Sequence, residues 1–235
     1  MRPIWLIAAA FLRQQKMALA ILLFYVLFFT VVFTLIPLRK GDLEGFSVIF
    51  KQQASYGILF SVFVCLSAVY QERKTRRILA VLSKGILRSE YLAGMMLGAA
   101  MLSATYLLAL GIAMRWFGYY FQFDPRTEPV MLAAFIASLV GSALAMVCGA
   151  VMHPYIAAAV CGLLIAGPGV LTRFVPQLSP VFPVSHVFNG ILSFDFSSGW
   201  QAGWLFTAFA GVHLVVIWLV GAALFHRTDV TVAAD

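Results

Sequence analysis

The sequence predicts an all-α integral membrane protein of six transmembrane helices. An N-terminal interfacial helix comes first, a short basic helix lies between spans 2 and 3, and a re-entrant external hairpin precedes span 6. Three observations carry this. The 235 residues are 63% hydrophobic and only 11% charged, against about 25% charged in soluble domains. Mean hydropathy is +0.96, more apolar surface than a soluble fold of this length can cover. Charge-free apolar runs recur along the chain, and the residues 71–90 between two of them carry six of the sixteen Lys and Arg.

Residues 1–16 begin with Arg2 and the apolar stretch Ile4 to Leu12. This imitates a secretory signal, but Arg13-Gln14-Gln15-Lys16 and a full span follow, with no small-x-small cleavage site after the apolar core. The preferred reading is an interfacial helix, Pro3 to about Gln15, anchored by Trp5 and Phe11 with Arg2, Arg13 and Lys16 snorkelling. A retained signal anchor is the alternative.

A helix needs roughly 20 apolar residues to cross about 30 Å of hydrocarbon. Met17 to Ile36 is the first such run, closed by Pro37, and Ser55 to Tyr70 the second, extending at most from Gln52. Tyr91 to Met114, Val130 to Met152, Tyr155 to Leu171 and Gly203 to Phe225 complete the set, with the fourth and fifth joined tightly through His153-Pro154. No run has an Asp, Glu, Lys or Arg inside it, and aromatics such as Tyr70, Trp116, Tyr119 and Trp204 mark the ends. The whole chain reads as a single transmembrane domain.

Placing the N-terminus inside puts ten basic residues in the cytoplasm: Arg2, Arg13, Lys16, Arg73, Lys74, Arg76, Arg77, Lys84, Arg88 and Arg227. The outside then holds six: Arg39, Lys40, Lys51, Arg115, Arg126 and Arg173. Lys and Arg resist translocation, so the bias favours both termini inside. The net charge of +7 thus belongs to span ends and points to no nucleic acid.

The basic segment has internal order. On a helix, Ile78, Leu79, Val81, Leu82 and Ile86 share one arc, while Arg76, Arg77, Ala80, Ser83 and Lys84 share the opposite one. Gly85 reads as a helix stop and Ser89-Glu90 as an N-cap with an acid in the first turn of the next helix. Such a helix can press on the membrane with one face and on a soluble partner with the other. Between the last two spans, residues 172–202 contain Pro176, Pro180 and Pro183 around an apolar centre too short to cross. Irregular backbone at membrane depth must be buried in protein, so a re-entrant or interfacial hairpin fits.

Candidate chemistry is sparse. His153, His186, His213 and His226 are scattered, Cys65, Cys148 and Cys161 lie in apolar runs without a CxxC, and no Walker phosphate loop is present. The sequence thus points to no catalytic residue, metal or cofactor in this chain and to no enzyme. Ion-coupled carriers generally keep a carboxylate inside the membrane, whereas the one ionisable group deep in a span here is His213; an ion-driven carrier is disfavoured and the energy source lies elsewhere. Gly94-x3-Gly98, Ser138-x3-Ser142 and Ala145-x3-Gly149 allow close helix approach, within the chain or between copies. Phe24 and Phe28 on span 1, with Phe60 and Phe63 on span 2, form a candidate apolar pathway; lipid contact or core packing is the alternative for each.

The order of parts resembles the type-2 membrane domain, or permease, of ATP-binding-cassette (ABC) exporters. The local resemblance runs through Glu72-Arg73, Ile78-Leu79-Ala80-Val81-Leu82 and Arg88-Ser89-Glu90-Tyr91-Leu92-Ala93-Gly94. Phe182-Pro183 is similar to the family's hairpin and Phe225-His226-Arg227-Thr228-Asp229-Val230 to its closing stretch; Lys84-Gly85-Ile86-Leu87 departs from it, where family members often carry a Pro before the Arg. The resemblance implies a prokaryotic inner- or plasma-membrane permease that pairs with itself or a relative and is driven by two cytoplasmic ATPase subunits, which would hold the ATP and Mg. The 71–90 segment would be the coupling helix docking on the ATPase, with Glu72, Arg73, Arg76, Arg77, Ile78, Val81, Leu82 and Lys84 as its contact residues. Charge-free spans lean towards an amphiphilic or apolar cargo. The reading from a different class is a non-transporting assembly or sensor subunit whose basic loop recruits a soluble partner or anionic lipid.

Overall fold

The computed structural model describes residues 2–35, 43–75, 86–124, 126–174, 183–196 and 203–227. These form eight helices: α1 (Arg2–Gln14), α2 (Lys16–Leu35), α3 (Leu43–Lys74), α4 (Arg88–Phe121), α5 (Glu128–Val151), α6 (Pro154–Phe174), α7 (Pro183–Leu192) and α8 (Gly203–Arg227). The protein is all-α among the described residues, and α2, α3, α4, α5 and α8 are each long and apolar enough to cross a membrane. The chain is thus a multi-pass membrane protein. In α6 the apolar stretch is Pro154–Ile165, and Pro168 sits inside the helix.

The centre of the bundle is the pairing of α3 with α5. Small residues on α5 let the helices close: a Cβ added at Gly141 would lie 2.9 Å from Val62, and one at Gly149 would lie 3.2 Å from Leu66. Ser138 and Ser142 turn their hydroxyls back onto the carbonyls of Ala134 and Ser138. Ser61 donates to Ile58 and reaches the Ser138 carbonyl at 3.3 Å. Serines on this interface thus satisfy themselves along their own helices while staying small enough for close packing.

The Gly94-x3-Gly98 pair receives α1. A Cβ at Gly94 would meet Ile7 at 2.6 Å and the Ile4 carbonyl at 2.9 Å; one at Gly98 would meet the Phe11 ring at 2.7 Å. Ala8 and Phe11 are buried against α4, whereas Trp5 is exposed. Of the two anchors expected on α1, Phe11 therefore packs into the protein, and only Trp5 is turned outward.

Helix α3 starts at Leu43, well before the expected Ser55. Lys51-Gln52-Gln53 interrupts the charge-free run, yet Phe46, Phe50, Ala54 and Ile58 are fully buried at helical spacing. Together with α4 and the residues after α7 they close one end of the bundle. The Phe46 ring lies 4.9 Å from Phe121 and 4.7 Å from Phe123, and Phe50 lies 5.5 Å from Phe194. Ser47 donates to Asp195 at 3.4 Å and accepts from the Phe196 N–H at 3.2 Å. Outside this aromatic plug Arg115 pairs with Glu128 and Asp124, and Arg126 with Asp124, all exposed.

Ten residues of helix span only about 15 Å, so α7 cannot cross. It is nonetheless largely buried, with Val187 and Ile191 at 0% exposure. It packs against α8, α6, α5 and α3, and the His186 ring lies 4.0 Å from Phe206 of α8.

Candidate functional site at the basic end of the bundle

The first residues of the basic segment are tied to three other helices. α3 ends in Gln71-Glu72-Arg73-Lys74, and each of the first three side chains has a partner outside α3. Gln71 accepts from the Gln14 amide of α1 at 2.7 Å. Glu72 hydrogen-bonds to Tyr91 of α4. Arg73 donates from Nη1 to the Gly149 carbonyl of α5 at 2.9 Å.

The Arg73 bond has a clear local cause. The last four carbonyls of a helix have no partner within it, and the helix dipole makes that end negative. Gly149 lies in the last turns of α5, whose close is marked by Met152 N–H bonding Cys148 O at 2.8 Å. A guanidinium there satisfies an orphan acceptor and offsets the dipole. Lacking a side chain, Gly149 also leaves room for Leu66 and Val69 of α3.

On the far side of the segment α4 begins at Arg88, with Leu87 rather than Ser89 as its N-cap. Glu90 accepts the Leu87 N–H at 3.2 Å, which ties down the chain as it enters the helix. The acid expected in the first turn is there; the cap lies two residues earlier because Glu90, not the Ser89 hydroxyl, supplies the reciprocal bond.

Of the eight expected coupling residues, Glu72 and Arg73 are thus placed. Arg76, Arg77, Ile78, Val81, Leu82 and Lys84 lie outside the described residues. Sequence reasoning missed Gln14, Gln71, Tyr91 and Gly149, whose partnerships depend on helix packing; the only hint was the small-residue pattern at Gly149.

The same end holds the close of α8, where Gly221 approaches Val147 of α5 and Leu224 shares a small cavity with Leu92 and Val151. The end of α1, the flanks of the basic segment and the end of α8 therefore share one end of the bundle, with the aromatic plug at the other.

The four phenylalanines of the candidate pathway are not brought together. Phe24 and Phe28 stack on each other at 6.1 Å and are exposed. Phe63 is exposed and Phe60 packs against the core, and no ring contact joins the two pairs among the described residues. The Tyr25 ring is what meets α3, edge-on to Tyr56 at 5.6 Å. An apolar groove of about 510 Å³ instead runs between α2 and α4, past Leu23, Val26, Thr30, Ile112 and Trp116. His213 bonds to the Phe209 carbonyl of its own helix at 3.0 Å.

Comparison with family models, with curated proteins and with solved structures finds no match to this chain.

Proposed function

We propose that this chain is the permease subunit of an ABC exporter, a six-span protein whose 71–90 segment docks on a separate cytoplasmic ATPase. The observation that carries the reading is the anchoring of that segment. Gln71, Glu72 and Arg73 bind α1, α4 and α5 at its start, and Glu90 fixes the chain at its end. A force applied to 76–85 would enter three helices through short polar contacts rather than dissipate in a loose loop. A segment that merely set topology would need no such anchors.

In this reading α6 is the fifth of six crossings, α7 belongs to the re-entrant segment, and both termini face the cytoplasm with the basic end. The exposed face of α2 supports pairing with a second permease. Met17, Ile21, Phe24, Phe28, Val31 and Leu35 repeat at alternating steps of four and three and are all exposed, the spacing of a helix–helix seam. The apolar groove between α2 and α4 suits an amphiphilic or apolar cargo.

The test is ATP hydrolysis by the complex affinity-purified through this chain and placed in lipid nanodiscs. The reading expects orthovanadate-sensitive hydrolysis that co-purifies with the wild type and falls with Arg76→Glu/Arg77→Glu. Hydrolysis absent from the wild-type complex, or unchanged in the double variant, contradicts it.

A further inference from the structure

Two cavities on the face formed by α4 and α5 meet at one arginine. The first, of about 670 Å³, is an apolar trough along Leu108 and Ile112 of α4 and Met131, Leu132 and Phe135 of α5. Gly111 keeps it open: a Cβ there would lie 3.1 Å from the end of Met131. The second, of about 750 Å³, is a more polar cup walled by Tyr119, Tyr120, Gln122 and Asp124. Arg115 lines both. It pairs with Glu128 and, at 3.7 Å, with Asp124, which also pairs with Arg126 at 3.7 Å; all four side chains are exposed.

We propose that this face holds a resident bilayer phospholipid with a primary ammonium headgroup, phosphatidylethanolamine. An acyl chain lies in the trough, the phosphate meets Arg115, and the ammonium enters the cup at Asp124. The length of the trough fits this occupant. It runs along α4 from Ala104 to Arg115, about 16 Å at 1.5 Å per residue, and one leaflet supplies half of about 30 Å of hydrocarbon. The trough thus spans one acyl layer, with Arg115 where that layer ends. Tyr119 and Tyr120, exposed just beyond, belong at headgroup level.

Charge selects the headgroup. Glu128, Arg115, Asp124 and Arg126 alternate in sign along the chain of ion pairs, so the cluster is neutral and suits a zwitterion. An anionic lipid would bring the two carboxylates nothing to bind. Arg115 has five N–H donors for its two carboxylates and can take a phosphate without releasing Glu128. Exposed ion pairs are weak enough to exchange partners, so a lipid ammonium can share Asp124 with the guanidiniums. A primary ammonium has three N–H groups to donate there, whereas a quaternary one has none. The site needs only a bilayer around α4 and α5, and it stands or falls apart from the exporter reading.

The test uses the full chain in nanodiscs of equal parts phosphatidylethanolamine, phosphatidylcholine and phosphatidylglycerol, one of the three carrying a diazirine in its acyl chain in each arm. After irradiation, mass spectrometry should place the cross-link on residues 131–135 of α5, which the α2–α4 groove does not include. Phosphatidylethanolamine should label them about fivefold more than either other lipid, the discrimination that a strong exposed ion pair supplies. Asp124→Asn should abolish the preference over phosphatidylcholine, and Ala104→Phe, which fills the trough, should lower labelling by phosphatidylethanolamine. The wild-type measurement decides without any variant having to fold. Equal labelling by the three lipids, a preference for either of the others, or a preference that survives Asp124→Asn overturns the proposal. Absence of lipid from 131–135 in the wild type, as when a second copy of the chain covers this face, overturns it equally.

Discussion

Tyr106 packs directly against the backbone of Gly57: a Cβ at position 57 would sit 2.3 Å from Cε1 of the tyrosine. One turn earlier on α3 the Gln53 carbonyl accepts the Tyr106 hydroxyl at 2.7 Å, fully out of solvent. Bulk, shape and polarity of one side chain are thus matched at one site on the facing helix. A tyrosine inside an apolar bundle is tolerated only when its hydroxyl finds a partner, and here the missing side chain at Gly57 is what lets it reach one.

The two halves of this contact should differ in cost. Gly57→Ala forces Tyr106 out of position, and overpacking of this kind costs about 1–3 kcal/mol. Tyr106→Phe keeps the ring and loses one buried hydrogen bond, worth about 0.5–1.5 kcal/mol. Thermal unfolding in detergent should therefore rank wild type above Tyr106→Phe above Gly57→Ala. An alanine at 57 that melts with the wild type would mean the helices are farther apart than described.

Helix α1 should detach when its seat is filled. Gly98→Val places methyl groups where the Phe11 ring now lies, so α1 should leave α4 while the spans stay inserted. Hydrogen exchange of residues 2–14 is the readout: protection should fall in Gly98→Val and in Phe11→Ala. Unchanged protection in both would show that the membrane alone holds α1.

Binding and transmission should separate at the basic end. Arg77 belongs to the segment proposed to touch the ATPase, and Arg73 to the anchor behind it. Charge reversal at an interface can cost several kcal/mol, so Arg76→Glu/Arg77→Glu should lose the ATPase subunit with membrane expression near normal. Arg73→Gln should retain the subunit, because its guanidinium bonds Gly149 within the protein, yet lower ATP-driven transport. Loss of the subunit in Arg73→Gln, or its retention in the double variant, would reverse these assignments.

The proposed topology puts the shared end of α1, α3 and α8 in the cytoplasm. A single cysteine at position 77, in a background without other cysteines, should resist impermeant maleimide in intact cells, and one at Asp124 should react. Labelling at 77 would invert the proposed topology.

The helices Lys16–Leu35 and Glu128–Val151 were legible because hydrocarbon imposes a crude rule, about 20 residues without charge, which their interiors obey. That rule failed at the start of α3. Lys51 is half-exposed and Gln53 packs inward, so neither ends the helix, and the spacing of Phe46, Phe50 and Ala54 was the better signal. Pairing between helices was mostly illegible. Nothing local says that Gly57 faces Tyr106 or that Arg73 caps α5. Such contacts depend on helix rotation and depth, which composition does not encode. The glycine spacing at Gly94 and Gly98 announced a close neighbour, and only the fold shows that it is α1.

Native mass spectrometry of the complex purified through this chain is the most direct test of the central claim. The account predicts two copies of the permease, or one with a related permease, bound to two nucleotide-hydrolysing subunits that are lost in Arg76→Glu/Arg77→Glu. A chain isolated alone and transporting without ATP, or a stable complex lacking any ATP-hydrolysing subunit, would contradict it.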